Sequence, residues 1–267
     1  MSPQSNRKTS KPNRPRRPPA RPRTAGVIDA LSRTVWRLRG ALSPEALARL
    51  TAGMLRAVEV PGSTVAPAPL VRALAAPAAH LTVLDLTACA GLAGVRLDAV
   101  LTAAVVAQLA PTVRFISLHS CQVTGAIPAW LGQCRRLRTL QLQKNRFGGE
   151  ALPPGLFAGL AELRVLHVHT CGLVGPVPRE LAACTQMESL ELSTNKLDGG
   201  LPGAVFAAMP GLKELWLSAN GFTGPVPREL AACTQMEKLH LRSNKLDDAR
   251  FPPAVLAAMP LLKSKSI

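Results

Sequence analysis

The segment GPVPRELAACTQME occurs twice, at Gly175 to Glu188 and at Gly224 to Glu237, an offset of 49 residues. Identity over so long a stretch does not arise by chance, so the chain is built from repeated units, none of which closes a core alone. A finer period, LxxLxLxxNxL, runs through Leu137, Leu140, Leu142, Asn145, Phe147 and through Leu212, Leu215, Leu217, Asn220, Phe222. Cys takes the Asn slot in Val113, Ile116, Leu118, Cys121, Val123 and in Leu163, Leu166, Val168, Cys171, Leu173. Copies beginning at Met187 and Met236 carry Asn195 and Asn244; Leu81 starts a looser copy with Cys89, and Leu55 a degenerate one. Their starts step by 26, 32, 24, 26, 24, 25 and 24 residues, and the sequence ends inside a ninth copy after Leu262.

In each unit the spaced leucines alternate as one face of a strand does, so they point inward and the residues between them point outward. The Asn or Cys turns inward at the strand's end, where its side chain bonds backbone in the adjoining turn.

These motifs resemble the leucine-rich-repeat family over residues 55–267, about four fifths of the chain. Copies reading TGAIPAWLGQC or GPVPRELAAC after the slot are similar to the plant-type subclass, LxGxIPxxL, and alternate with a second form, GGxLPxxxF. The resemblance implies an α/β solenoid, a right-handed horseshoe with a parallel concave sheet and a mostly irregular convex side.

Beyond the repeats, Ser43 as N-cap and Pro44 at the first helical position predict a helix over residues 43–54. With Val27 to Leu38 it makes a helical N-terminal cap over residues 26–54. The 32-residue step after Leu81 leaves room for one convex helix over Asp98 to Leu109. No polar capping helix follows LLKSKSI, so the array is expected to be truncated or to present an open end to a partner.

The formal charge is +16, and residues 1–40 hold eleven Lys/Arg against one acid. Residues 1–25 are basic, Pro-rich and free of apolar runs, so they are expected to be disordered. They show no secretory leader, no Asn heads an N-x-[ST] sequon, and no paired cysteines flank the repeats. An intracellular chain is therefore expected, cytoplasmic, or nuclear or organellar if the tail is an address. The apolar stretch Ala99 to Val113 is too short and interrupted to cross a bilayer.

Six cysteines raise the question of disulfides or metal, but the register accounts for each: Cys89, Cys121 and Cys171 fill the Asn slot, and Cys134, Cys184 and Cys233 lie in the convex segment. His167 and His169 share a strand with Glu191 nearby, yet His119 lies two strands from His169, about 10 Å at ordinary strand spacing, too far for one ion. No cofactor, no metal and no catalytic motif is expected.

A functional clue is internal. Gly175 to Asp198 and Gly224 to Asp247 differ at four of 24 positions, Ser189/Lys238, Glu191/His240, Ser193/Arg242 and Thr194/Ser243, all outward on or just after the strand. Convex polar residues expected to be as exposed, Arg179, Glu180, Thr185 and Gln186, did not change. The pattern predicts a concave binding face for a protein partner: Trp216 as anchor, with Gln141, Gln143, His167, His169, Glu191, Glu214, Lys238, His240 and Arg242 setting specificity. Glu191 and Glu214 should make one stretch acidic; Lys238, His240 and Arg242 should make the next basic. Two other readings remain open: nucleic-acid or acidic-partner binding through residues 1–25, and a fragment of a ligand-sensing receptor ectodomain.

Overall fold

The computed structural model describes residues 27–29, 37–39, 57–59, 61–62, 64, 67–75, 81–247 and 251–266. One strand per repeat, preceded by two from upstream of the repeats, joins a single sheet of eleven strands: β1 Val27–Asp29, β2 Arg37–Arg39, β3 Ala57–Glu59, β4 Val83–Asp85, β5 Phe115–Ser117, β6 Thr139–Gln141, β7 Val165–His167, β9 Ser189–Glu191, β11 Glu214–Trp216, β13 Lys238–His240 and β15 Ser264–Ser266. From β2 onward neighbours pair in parallel, in chain order. The minor strands β8 Val174–Gly175 with β10 Lys196–Leu197, and β12 Thr223–Gly224 with β14 Lys245–Leu246, form short parallel pairs beyond the Asn slots. The chain has the leucine-rich-repeat solenoid architecture that its period predicts.

Register explains the core. Leu84, Ile116, Leu140, Leu166, Leu190, Leu215 and Leu239 are Cα partners across successive strands, and all are buried. Burying one such side chain stabilises by roughly 1.5–3 kcal/mol, but only where a neighbouring repeat supplies the wall.

Polar satisfaction also crosses repeats. Asn195 Oδ1 accepts from the backbone N–H of Cys171 at 3.0 Å and of Leu173 at 3.1 Å, while its Nδ2 donates to the carbonyls of Val168 and Leu192, both at 2.9 Å. Cys121 and Cys171, in the same slot, donate instead to Leu86 O at 2.9 Å and Leu142 O at 3.3 Å. The Cys121 and Cys171 repeats thus rely on the Asn of the next repeat to cover their amides: Val123 N–H donates to Asn145 Oδ1 at 3.1 Å, as Cys171 and Leu173 do to Asn195. The residue before the slot is left-handed throughout, as at Thr170 (φ 58) and Thr194 (φ 57). Its amide is held there by the next strand end: Thr170 N–H donates to Ser193 O and Thr194 N–H to Ser218 O.

On the convex side the two repeat forms differ. The LxGxIPxxL copies make 3-10 turns at Ala129–Gln133, Arg179–Ala183 and Arg228–Ala232; the other form makes single α turns at Pro154–Phe157, Gly203–Ala207 and Pro253–Ala257. All six cysteines are buried and none is in a disulfide, and burial pushes the thiols of Cys121, Cys134, Cys184 and Cys233 up to about 12.

Two expectations need correction. The helix foreseen over Asp98 to Leu109 is two helices, Leu97–Val100 and Ala103–Leu109, because Thr102 is extended and caps the second: its hydroxyl accepts from Val105 N–H at 3.2 Å. Within Val27 to Leu38, where part of a helical cap was expected, lie the antiparallel strands β1 and β2. A helix cannot satisfy the unpaired backbone edge of β3, whereas β2 pairs with it directly. The rest of that cap, residues 43–54, and the basic tail, residues 1–25, fall outside the described residues.

Asn195→Ala is expected to lower the unfolding free energy by about 3 kcal/mol, since it strips partners from two buried amides and two carbonyls. Urea melts would show this, with exposed Lys196→Ala unchanged; equal stability of the two variants would contradict the cross-repeat account.

Candidate functional site

Three rows of outward side chains cross the concave sheet. The first runs Val83, Phe115, Thr139, Val165, Ser189, Glu214, Lys238; the second Asp85, Ser117, Gln141, His167, Glu191, Trp216, His240. The third, just past the strands, holds Thr87, His119, Gln143, His169, Ser193, Ser218 and Arg242. Every residue proposed from the sequence lies on this one face, because alternation in a parallel sheet leaves no other place for it.

Register sets Trp216 between Glu191 on one side and His240 on the other. Its ring is stacked on His240, centroids 3.9 Å apart and planes within 12°. The anchor is therefore half-buried against its neighbour, and its indole Nε1 is buried without a hydrogen-bond partner. Three further side-chain atoms share that condition among the described residues: His119 Nε2, Gln143 Oε1 and Ser193 Oγ. All four lie on the concave face.

Glu191 reaches toward two imidazoles, with His167 Nε2 at 3.7 Å and His169 Nε2 at 3.6 Å. Those contacts become ion pairs only if the rings are protonated, and burial, the largest influence on both, holds them below the ordinary histidine value. Burial likewise raises the Glu191 carboxyl, against the pull of His169. At neutral pH the trio is a partly desolvated polar cluster, with His167 Nε2 also 3.0 Å from Ser189 Oγ. Among the described residues no three His, Cys, Asp or Glu side chains are grouped to hold a metal ion.

The expected switch from an acidic to a basic stretch is muted. Lys238 Nζ donates to Glu214 Oε1 at 2.8 Å, so the two cancel across β11 and β13. Gln143 is buried, Gln141 half-buried, and Arg242 exposed. His119 and Ser193 were not among the proposed specificity positions, although the same alternation that selected Gln143 and His169 places them in the third row; the missing signal was burial, which a period cannot report.

With this geometry in hand, comparison places the fold. The Leucine Rich Repeat family profile matches residues 211–233. The chain is similar to the LRR ectodomain of the plant membrane receptor kinase GASSHO1/SCHENGEN3 from Arabidopsis thaliana, solved with CASPARIAN STRIP INTEGRITY FACTOR 2: 24% identity, 86% of this chain, 26% of that one, TM-score 0.68. It is also similar to the Arabidopsis receptor kinase HAESA, solved with the peptide hormone IDA and the co-receptor SERK1, at 24% identity over 79% of this chain and 33% of that one, TM-score 0.62. An LRR protein of Leptospira interrogans aligns at 20% identity, 84% of this chain and 50% of that one, TM-score 0.63. The chain thus spans between about a quarter and a half of the length of these structures. No curated protein matches its sequence significantly.

Fold and repeat define a leucine-rich-repeat solenoid, and the family profile covers one of its repeats. The comparison also corrects the expectation of an intracellular, cytoplasmic chain: the receptor structures it resembles are ectodomains of membrane kinases. That expectation rested on absent signals and on cysteines, whose burial in the repeat register says nothing of compartment. Among the described residues no helix is long and apolar enough to cross a membrane.

The histidine shifts give a sign. Folded His167 and His169 hold fewer protons than unfolded ones just below the ordinary value of 6.5, so stability present above that value is lost as pH falls through it. Glu191, raised from 4.5, acts oppositely in the carboxylate range. Thermal melts are expected to show Tm falling between about pH 7.5 and about pH 5.5, with a shallower fall in the His167→Gln/His169→Gln variant. An unchanged slope in that variant would remove these residues from the effect.

Proposed function

We propose that the chain is a recognition module that binds a polypeptide segment along its concave face, with Trp216 at the centre, and that it performs no catalysis. The observation that carries this is the placement of the orphaned atoms His119 Nε2, Gln143 Oε1, Ser193 Oγ and Trp216 Nε1 on that one surface. A buried polar atom without a partner costs about 1–3 kcal/mol, and none of these four gives up a hydrogen bond by turning outward. An indole N–H donates and an amide Oε1 accepts, so together they match the alternating carbonyls and amides of an extended backbone. Of the duplicated positions that diverged, Ser193 carries one of these atoms, and Glu191 and His240 are the register partners of Trp216.

The solved structures with a peptide hormone or CASPARIAN STRIP INTEGRITY FACTOR 2 bound support a polypeptide partner. They also favour a second reading, in which the chain is a ligand-sensing part of a receptor ectodomain. No described residue bears on nucleic-acid binding through residues 1–25.

Peptides selected from a random phage library on the full chain are expected to lose about tenfold in affinity on Trp216→Ala or Gln143→Ala, and nothing on convex Arg179→Ala. Circular dichroism would establish that each variant is folded. Selected peptides indifferent to both concave substitutions would sink the reading.

A further inference from the structure

An ion-pair ladder follows the corner where the chain enters each strand. Arg138 pairs with Glu162 at 3.1 Å, Arg164 and Lys213 both with Glu188 at 2.7 Å, and Lys263 with Glu237 at 2.6 Å. The row starts one strand earlier at Arg114, whose carbonyl accepts from Arg138 N–H at 2.8 Å. Among the described residues Arg114 has no ion-pair partner, and neither do Arg135 and Arg136 in the turn leading to Arg138; all three are exposed. The ladder therefore neutralises its later cations and leaves three uncompensated at one corner. Immediately inside that corner the first concave row carries half-buried Val83 and Phe115, register-paired with each other, and Val165 beyond Thr139.

We propose that Arg114, Arg135 and Arg136, with the apolar strip Val83, Phe115 and Val165, form a ledge that receives an acidic, apolar-interleaved segment of the polypeptide partner. This deepens the concave-face reading and rests on it. Arginine forks match carboxylates in bidentate geometry, but exposed pairs each contribute little. Recognition therefore needs the apolar contact of Phe115 as well as charge. A peptide alternating acidic and apolar side chains presents both at strand spacing, carboxylates toward the corner and apolar groups toward the sheet.

A nucleic-acid strand fits less well. Its phosphates recur at every unit, and a strand following the corner would meet Glu162 and Glu188 one and two repeats on, with side chains 46% and 31% exposed. The apolar strip would give a phosphodiester backbone nothing to bond.

Fluorescence anisotropy on the full chain at physiological salt tests this. The probes are a labelled peptide of glutamate, leucine and serine, its glutamine-for-glutamate counterpart, and a labelled oligouridylate. The acidic peptide is expected to bind, and to lose about tenfold in the Arg114→Ala/Arg135→Ala/Arg136→Ala variant, which removes exposed side chains that make no hydrogen bond or ion pair among the described residues. Phe115→Ser should weaken it too, and the glutamine peptide should bind poorly to every form. An Arg135→Glu/Arg136→Glu variant should instead gain affinity for a lysine, leucine and serine peptide. Binding undiminished in the triple-alanine variant, carried by the many cations of residues 1–40, overturns the ledge. So does tighter binding of oligouridylate lost with the same arginines. Trp216→Ala judges the concave reading on phage-selected peptides alone, so either idea can fail while the other's readout stands.

Discussion

Burial in this molecule is a property of neighbours. The residues of the Leu84 to Leu239 row are each shielded by the strands on either side, so no repeat is stable without the next. Everything on the concave face follows from that requirement. Once alternate positions are committed to the stacked interior, the positions between them form a continuous outward surface whose chemistry is free to vary.

The duplication shows how that freedom is used. The copies from Gly175 and Gly224 keep Leu181 and Leu230, Cys184 and Cys233, and the left-handed residue at 194 and 243, because packing and turn geometry allow little else. Ser189, Glu191 and Ser193 become Lys238, His240 and Arg242, and the first two changes reshape local contacts. Glu191 faces His167 and His169 where His240 stacks on Trp216, and Lys238 reaches back to Glu214. One strand between the two copies thus acquires different neighbours on its two sides, which a perfectly periodic sheet could not provide.

Much of the fold was legible because leucine spacing and strand alternation share one period. The helix over Asp98 to Leu109 was read as continuous because a cap such as Thr102 resembles any other threonine until its backbone turns extended. The acidic-to-basic switch was misjudged for a related reason: sequence lists Glu214 and Lys238 as 24 residues apart, whereas register makes them adjacent and self-cancelling. Compartment was misread because the signals used were absences.

The sequence by itself determined the repeat, the inward leucines and the set of residues sharing the concave face, since all three depend only on spacing along the chain. Tertiary structure alone decided which of those residues are satisfied. Whether Trp216 Nε1, Gln143 Oε1 or the Arg114 guanidinium has a partner depends on side chains a repeat or more away, and hydrogen bonds and ion pairs require contact within a few ångströms that no periodicity records.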